Sequence, residues 1–176
     1  SVSRDDLLIM SQPPGDQALD SFPFLPIPII AVAPPQHPLC AQEQMRLADL
    51  GAYPLLVREP GSGTRKACEE YCHQKRAHFA QTLEVGSTES QVEGSVLVAA
   101  LAFVGLALLP RHAVRLELAQ GLLRQLPVAE LPLQRSWCVV HPRGKHLSPV
   151  AQAFRDFIRQ ERAQIAALER RFGMSD

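Results

Sequence analysis

Apolar positions along the chain fall into short runs separated by polar or proline-rich breaks, and their period changes from run to run. Leu7-Leu8-Ile9-Met10 stops at Ser11-Gln12-Pro13-Pro14, which predicts a central, buried parallel strand ending in a loop. Such a strand needs neighbours that nothing before it supplies, so the run also predicts a fragment of something longer. Asp16 to Asp20 reads as a polar connection. Pro23, Pro26 and Pro28 then forbid helix and predict an extended segment leading into a strand at Ile29-Ile30-Ala31-Val32-Ala33, which Pro34 and Pro35 stop. A short polar helix with Arg46, Leu47, Asp49 and Leu50 ends at Gly51, and a strand covers Leu55 to Val57.

Between Lys66 and Phe79 the spacing becomes helical, with Ala67, Tyr71, Cys68 and Cys72 on one apolar stripe and Glu69, Glu70, Gln74 and Lys75 outside it. Leu83 and Val85 alternate as a strand, closed by Gly86-Ser87-Thr88-Glu89. Thr88 and Gln91 have capping-box spacing and start a second helix through Val92, Val96, Ala99, Ala100 and Phe103. Leu106 to Leu109 predicts a buried strand ended by Pro110, and Arg111 to Val114 a turn or short helix. Trp137 to His141 reads as another strand, and Pro142 to Lys145 as a turn. Ser148 before Pro149 is an N-cap signature for a long helix with Val150, Ala153, Phe154, Phe157, Ile158, Ile165 and Leu168 inside. Arg170 and Arg171 occupy its last turn, and Gly173 ends it. Strand and helix alternate, which predicts α/β layers with a largely parallel sheet.

Composition narrows the partners. Lys plus Arg and Asp plus Glu number 18 each in 176 residues, so no net field draws the chain to nucleic acid or to an anionic membrane. Apolar content of 46% and charged content of 20% are those of an ordinary soluble domain. Cys40, Cys68, Cys72 and Cys138 are too sparse for a disulfide framework, and free thiols in a reducing cytoplasm are expected. The longest uncharged stretch, Gly94 to Pro110, approaches membrane-spanning length, but Gly105 divides it into a buried helix and a buried strand. No membrane partner and no secretion signal are predicted.

The chemistry concentrates in Arg58-Glu59-Pro60-Gly61-Ser62-Gly63-Thr64-Arg65, between a strand and a helix. Pro60 fixes the exit from the strand, while Gly61 and Gly63 permit backbone angles and close approaches that a side chain blocks. Ser62 and Thr64 add hydroxyls where the first N–H groups of the helix point outward. A carboxylate or phosphate there would meet those N–H groups, the positive end of the helix dipole, and Arg58 or Arg65. A tight turn that caps its own helix and binds nothing is the bland alternative. Gly86-Ser87-Thr88-Glu89 repeats the arrangement, and Gln12, Pro13 and Pro14 either lie where ligands approach an open α/β sheet or form a rigid turn.

Other groupings carry less. Cys68, Cys72, His73 and His78 lack a second pair of metal-ligand spacing, and both cysteines coincide with the apolar stripe, so core packing is expected and no metal. Ser62 or Cys138 with His112 or His141 would make a nucleophile and base only if the fold joined them, and there is no G-x-S-x-G elbow. The glycine-rich loop has neither Walker A nor dinucleotide-binding spacing, and no cofactor is predicted. Arg111 and His112, after a buried strand, mark either a cleft wall or a solvated strand end.

Leu55 to Arg65, Gly86-Ser87-Thr88-Glu89, and Gly105 to Val114 together resemble the effector-binding domain of LysR-type transcriptional regulators. Asp6 to Pro14, Glu69-Glu70-Tyr71-Cys72, and His141 to Ser148 resemble its carbon-fixation branch, the CbbR-like and CmpR-like regulators of Rubisco and bicarbonate-uptake operons. The resemblance extends to about Gln160. It implies α/β architecture with two Rossmann-like lobes of the periplasmic-binding-protein type, joined by crossover strands at Ile27 to Ala33 and Ser136 to His141. Residues 1–33 would be a partial first lobe and first crossover, 34–133 the second lobe, and 134–176 the return strand and C-terminal helix of the first lobe. A small anion of the ribulose bisphosphate, 2-phosphoglycolate or 2-oxoglutarate class would bind between the lobes. Its contacts would be Gln12, Pro13, Arg58, Glu59, Gly61, Ser62, Gly63, Thr64, Arg65, Gly86, Ser87, Thr88 and Glu89.

The same resemblance implies a non-catalytic, cytoplasmic homodimer or homotetramer that reaches promoter DNA only through a helix-turn-helix domain absent from this chain. Also absent are the opening strands and helices of the first lobe. Ser90 to Val104 is longer than the family's usual helix, and Thr88 stands where asparagine is common. Two alternatives belong to other classes. One is an enzyme acting on small phosphorylated or carboxylated metabolites through the same loops; the other is a structural module whose open sheet edge another chain covers.

Overall fold

The computed structural model describes residues 7–11, 13, 15–85, 94–169 and 171. These divide into a unit formed by Pro28–Leu133 and a unit drawn from Ser1–Ile27 and Gln134–Asp176.

In the first of these the sheet is organised around strand β3, Ile29–Ala33, whose five residues are all buried. A strand shows alternate side chains to opposite faces, and that period of two divides β3 between two cores. Ile29, Ala31 and Ala33 join a cluster with Leu55, Ala67, Cys72 and Leu108, while Ile30 and Val32 join Leu101, Val104, Leu109 and Leu123. Each fully buried Ile or Leu contributes about 1.5–3 kcal/mol. Around β3 lie β4 (Leu55–Arg58), β5 (Thr82–Val85), β6 (Ala107–Pro110) and β7 (Arg124–Gln125), in the order β5-β4-β6-β3-β7.

Helices α1 (Gly63–Gln74) and α2 (Gly94–Val104) cover the two faces, and α3 (Arg115–Ala119) follows β6. Among the described side chains of α2, Leu101 and Val104 are buried and Ala100 packs against the same core, whereas Ala99 and Phe103 face solvent, so the expected stripe holds at Ala100 and not at those two; Gln91, Val92 and the Val96 side chain lie outside the description. Helix α1 ends at Gln74 rather than Phe79. Arg76 turns into the left-handed region at φ 55°, the Arg76 N–H meets the His73 carbonyl, and the Ala77 N–H meets the Cys72 carbonyl at 2.8 Å, a Schellman ending without its usual glycine.

The largely parallel sheet expected from the alternation is corrected. β4 runs parallel to β5 and β6, but β3 is antiparallel to β6 and β7. Alternation predicts parallel pairing only where a helix crosses between the two paired strands, and β3 is paired with strands distant in sequence instead.

Glu130, in the turn after Val128, holds the 3-10 turn at Leu47–Ala52, accepting the Leu47 N–H at 2.6 Å and Arg46 Nε at 3.3 Å. The Leu47 N–H chiefly, with Arg46 added, holds its carboxyl below the usual carboxylate range. A depressed folded pKa means stability that is present above the unfolded carboxylate range and lost as pH falls through the folded value. Glu130→Gln is therefore expected to flatten the acid limb of urea denaturation measured across pH, and an unchanged acid limb would refute this linkage.

The other unit holds a three-stranded antiparallel sheet, β1 (Leu8–Met10), β8 (Ser136–Pro142) and β2 (Leu19–Pro26), in the order β1-β8-β2. β1 is an edge strand and not the central parallel strand its apolar run predicts; Leu8 and Ile9 are exposed. The register of β2 shifts between Pro23 and Leu25, where a proline interrupts the ladder. Helix α4, Pro149–Glu169, packs on β2, with Ile158 buried and Arg159 over the Phe22 ring at 4.7 Å. Val150, Phe154, Phe157 and Leu168 are exposed, so the expected inner face is realised only in part: the small sheet covers one stripe of the helix among the described residues. Arg170 and Gly173 lie outside those residues.

The predicted cap is present, with Ser148 Oγ accepting the Ala151 N–H at 3.2 Å. Ser148→Ala should lower stability by about 1 kcal/mol in urea denaturation, and Ser148→Asp should retain most of it.

Candidate functional site

Leu55 and Leu56 anchor β4 in the core, so the chain leaves the sheet at Arg58 in a fixed direction. Glu59 to Ser62 then forms a turn, closed by the Ser62 N–H on the Glu59 carbonyl at 3.2 Å, with Gly61 at φ 91°. Proline at the second position and a glycine of positive φ at the third make it type II. Ser62 is the N-cap of α1: its backbone is extended and its carbonyl accepts the Lys66 N–H at 3.0 Å. Its hydroxyl makes no capping bond, so the bland reading of a self-capping turn fails at Ser62. The first N–H groups of α1, at Gly63, Thr64 and Arg65, lack helical acceptors by geometry and carry the positive end of the helix dipole.

The two guanidinium groups expected to meet an anion are already engaged by carboxylates. Arg58 forms a fork with Glu59, with Nε–Oε2 and Nη2–Oε1 both 3.0 Å. Arg65 binds Glu69 at 2.7 Å, Glu84 at 3.1 Å and the Arg58 carbonyl at 2.9 Å. The hydrogen bond to Glu69, followed by that to Glu84, holds Arg65 firmly in its charged form. Arg65 thereby ties the start of α1 to β4 and β5. The i,i+4 spacing of Arg65 and Glu69 was a legible sign of that pairing; nothing in the sequence marks Glu84.

Along the flank of α1, against β4 and the edge strand β5, lies a cavity of about 320 Å³ that the sequence does not signal. Leu55, Val57, Cys68, Cys72 and Phe79 contribute to its walls and Thr82 to its rim. Burial pushes the Cys72 thiol up to about 11, which makes it a packing group and not a nucleophile.

The other expected residues separate. Pro13 is half-buried in the loop after β1, in the unit drawn from Ser1–Ile27 and Gln134–Asp176, while Arg58 to Arg65 belong to the other. Gln12, Gly86, Ser87, Thr88 and Glu89 lie outside the described residues. Cys138 and His141 stand three positions apart on β8 and so project to opposite faces. His141 is buried, whereas His112 is exposed at the solvated end of β6. Among the described residues, no group of three or more His, Cys, Asp or Glu could hold a metal ion, and no helix is long and apolar enough to cross a membrane.

The model of the LysR substrate binding domain matches residues 3–163. The chain belongs to this family. It is 40% identical over 165 residues to the HTH-type transcriptional regulator CbbR of Xanthobacter flavus, covering 92% of this chain and 48% of that protein. It is 36% identical over 160 residues to a RuBisCO operon transcriptional regulator of Allochromatium vinosum, covering 91% and 51%. Among solved structures it is similar to the regulatory domain of Synechocystis PCC6803 CcmR in complex with 2-PG, with a TM-score of 0.74, 32% identity and coverage of 88% of this chain and 72% of that one. The fold is accordingly the mixed α/β, two-lobed type of LysR regulatory domains. The chain spans about half the length of the curated relatives it matches. Those relatives regulate transcription, so this is the effector-binding domain of a family of regulators and not of enzymes, and the enzymatic alternative is set aside.

Proposed function

We propose that this LysR-type effector domain senses a small anionic metabolite of carbon metabolism, with 2-phosphoglycolate the first candidate, at the start of α1. The observation that carries the reading is the type II turn at Glu59 to Ser62. It presents free N–H groups and the uncommitted cap hydroxyl of Ser62 at a helix N-terminus, in a chain 32% identical to a regulatory domain solved with 2-PG. Because Arg58 and Arg65 are held by Glu59, Glu69 and Glu84, the anion is met first by backbone N–H groups and by Ser62 and Thr64. Arg58 joins only by exchanging partners. Gln12, Pro13 and Gly86 to Glu89 would be further contacts of the anion, with residues 1–33 and 134–176 assigned to a first lobe and 34–133 to a second. In the full-length cytoplasmic regulator, a homodimer or homotetramer, occupancy would control transcription of CO2-fixation or inorganic-carbon-uptake genes through a helix-turn-helix domain.

Calorimetric titration tests the reading. Saturable, salt-weakened binding of 2-phosphoglycolate is expected, with glycolate, which lacks the phosphate, markedly weaker; ribulose bisphosphate and 2-oxoglutarate rank the class. Flat heats for all the acids would sink it.

A further inference from the structure

We propose that the cavity along the flank of α1 is a second ligand site, for a small, uncharged, largely apolar molecule about the size of one substituted ring. The cavity shares Arg58, Thr64 and Arg65 with the start of α1, but the inference rests on the apolar residues along the side of the helix and needs no anion at its end. A volume of about 320 Å³ falls within the roughly 300–1,000 Å³ of small-molecule pockets. Much of its wall is apolar, with Leu55, Cys72 and Leu108 buried and Phe79 half-buried. An unfilled wall of this kind forgoes dispersion contacts that a fitting apolar ligand restores.

The charges at the cavity argue for a neutral occupant. Arg65 is compensated by Glu69 at 2.7 Å and Glu84 at 3.1 Å, and Arg58, which also lines the cavity, by Glu59 at 3.0 Å, so an entering anion would find both guanidinium groups already paired and would face the Glu69 carboxylate. An entering cation would lose hydration against an apolar wall for a carboxylate already paired. The rim is polar, however, with Thr82, His73 and His78 exposed, and it can hydrogen-bond one polar substituent. Apolar floor, polar rim and neutralised charge together describe a phenol-like or indole-like ligand.

Indole is the probe, read by methyl NMR of the whole 176-residue chain, with inorganic phosphate as the anionic counterpart. Saturable shifts are expected at the Leu55, Val57 and Leu108 methyls with indole and none with phosphate. Cys68→Phe, which fills the cavity, should weaken indole by at least about tenfold, or 1.4 kcal/mol. Thr82→Tyr, on the exposed edge strand, should do the same by closing the mouth if Cys68→Phe fails to fold by circular dichroism. The proposal is overturned if indole leaves those methyls unmoved, if a folded variant binds indole as the parent does, or if phosphate saturates the same methyls more tightly. The parent titration decides alone should neither variant fold.

Discussion

Thr64→Asp is expected to weaken 2-phosphoglycolate binding by roughly two orders of magnitude while leaving the chain as stable as before or slightly more so. The two effects have opposite signs because one feature causes both. Thr64 is in the first turn of α1, two residues after the cap Ser62. A carboxylate there interacts favourably with the helix dipole, by about 0.3–1 kcal/mol. The same carboxylate occupies the neighbourhood of the incoming anion; two unit charges about 5 Å apart at an effective dielectric of about 20 repel by about 3 kcal/mol. That corresponds to roughly two orders of magnitude in Kd. Thr64→Ser, which keeps the hydroxyl, should bind within a few-fold of the parent. Calorimetry and thermal melting on the same samples read both signs, and a Thr64→Asp chain that binds 2-phosphoglycolate like the parent would rule the start of α1 out of the site.

This variant discriminates better than removing Arg65. That side chain clamps α1 to the Arg58 carbonyl and to Glu84 on β5, so Arg65→Ala loosens the helix whose end is under test. Lost binding would then report either a lost ligand contact or a displaced helix. A charge introduced at Thr64 leaves those bonds in place.

The strand-turn-helix grammar was legible because its signals are local. Pro60 and Gly61 dictate a type II turn, and Ser148 before Pro149 dictates a cap; the fold contains both. Family membership was also legible, in the words around Gly61 and Gly105. What the sequence hid is non-local. The apolar run at Leu8 to Met10 says that a strand forms but not which strands flank it, and the chain places it at an edge against β8. The apolar residues of α4 state a helical period, yet which of them is buried depends on the area of sheet available, and only Ile158 among its large apolar side chains lies deep. At the site, the Arg58–Glu59 and Arg65–Glu69 pairs are local, but the second partner of Arg65, Glu84, lies on another element and left no mark in the sequence. The cavity escaped notice for a like reason: β4, α1 and β6 each contribute wall residues that look like ordinary core positions one at a time.

Gly51→Ala should destabilise the chain by about 3 kcal/mol, at the upper end of overpacking penalties, although the change adds a single methyl group. As sequence, Gly51 reads as a helix terminator, a role that alanine at worst fills slightly poorly. The structure assigns it a close approach instead: a Cβ there would stand 2.2 Å from the His78 carbonyl oxygen and 3.3 Å from its carbon. Those are backbone atoms, so no rotamer change relieves the contact, and one of two segments must shift. The turn bearing Gly51 is pinned by Leu47 and Leu50, both fully buried, and by Glu130 on the Leu47 N–H. The segment bearing His78 is pinned by buried Ala77, whose N–H closes the end of α1 on Cys72. Gly15→Ala is the control, since a Cβ there meets nothing within 4 Å, and its change should stay within about 0.5 kcal/mol. Urea denaturation of the two variants decides the matter: a Gly51→Ala chain as stable as the control would mean that the Gly51 turn and the His78 segment can part without cost.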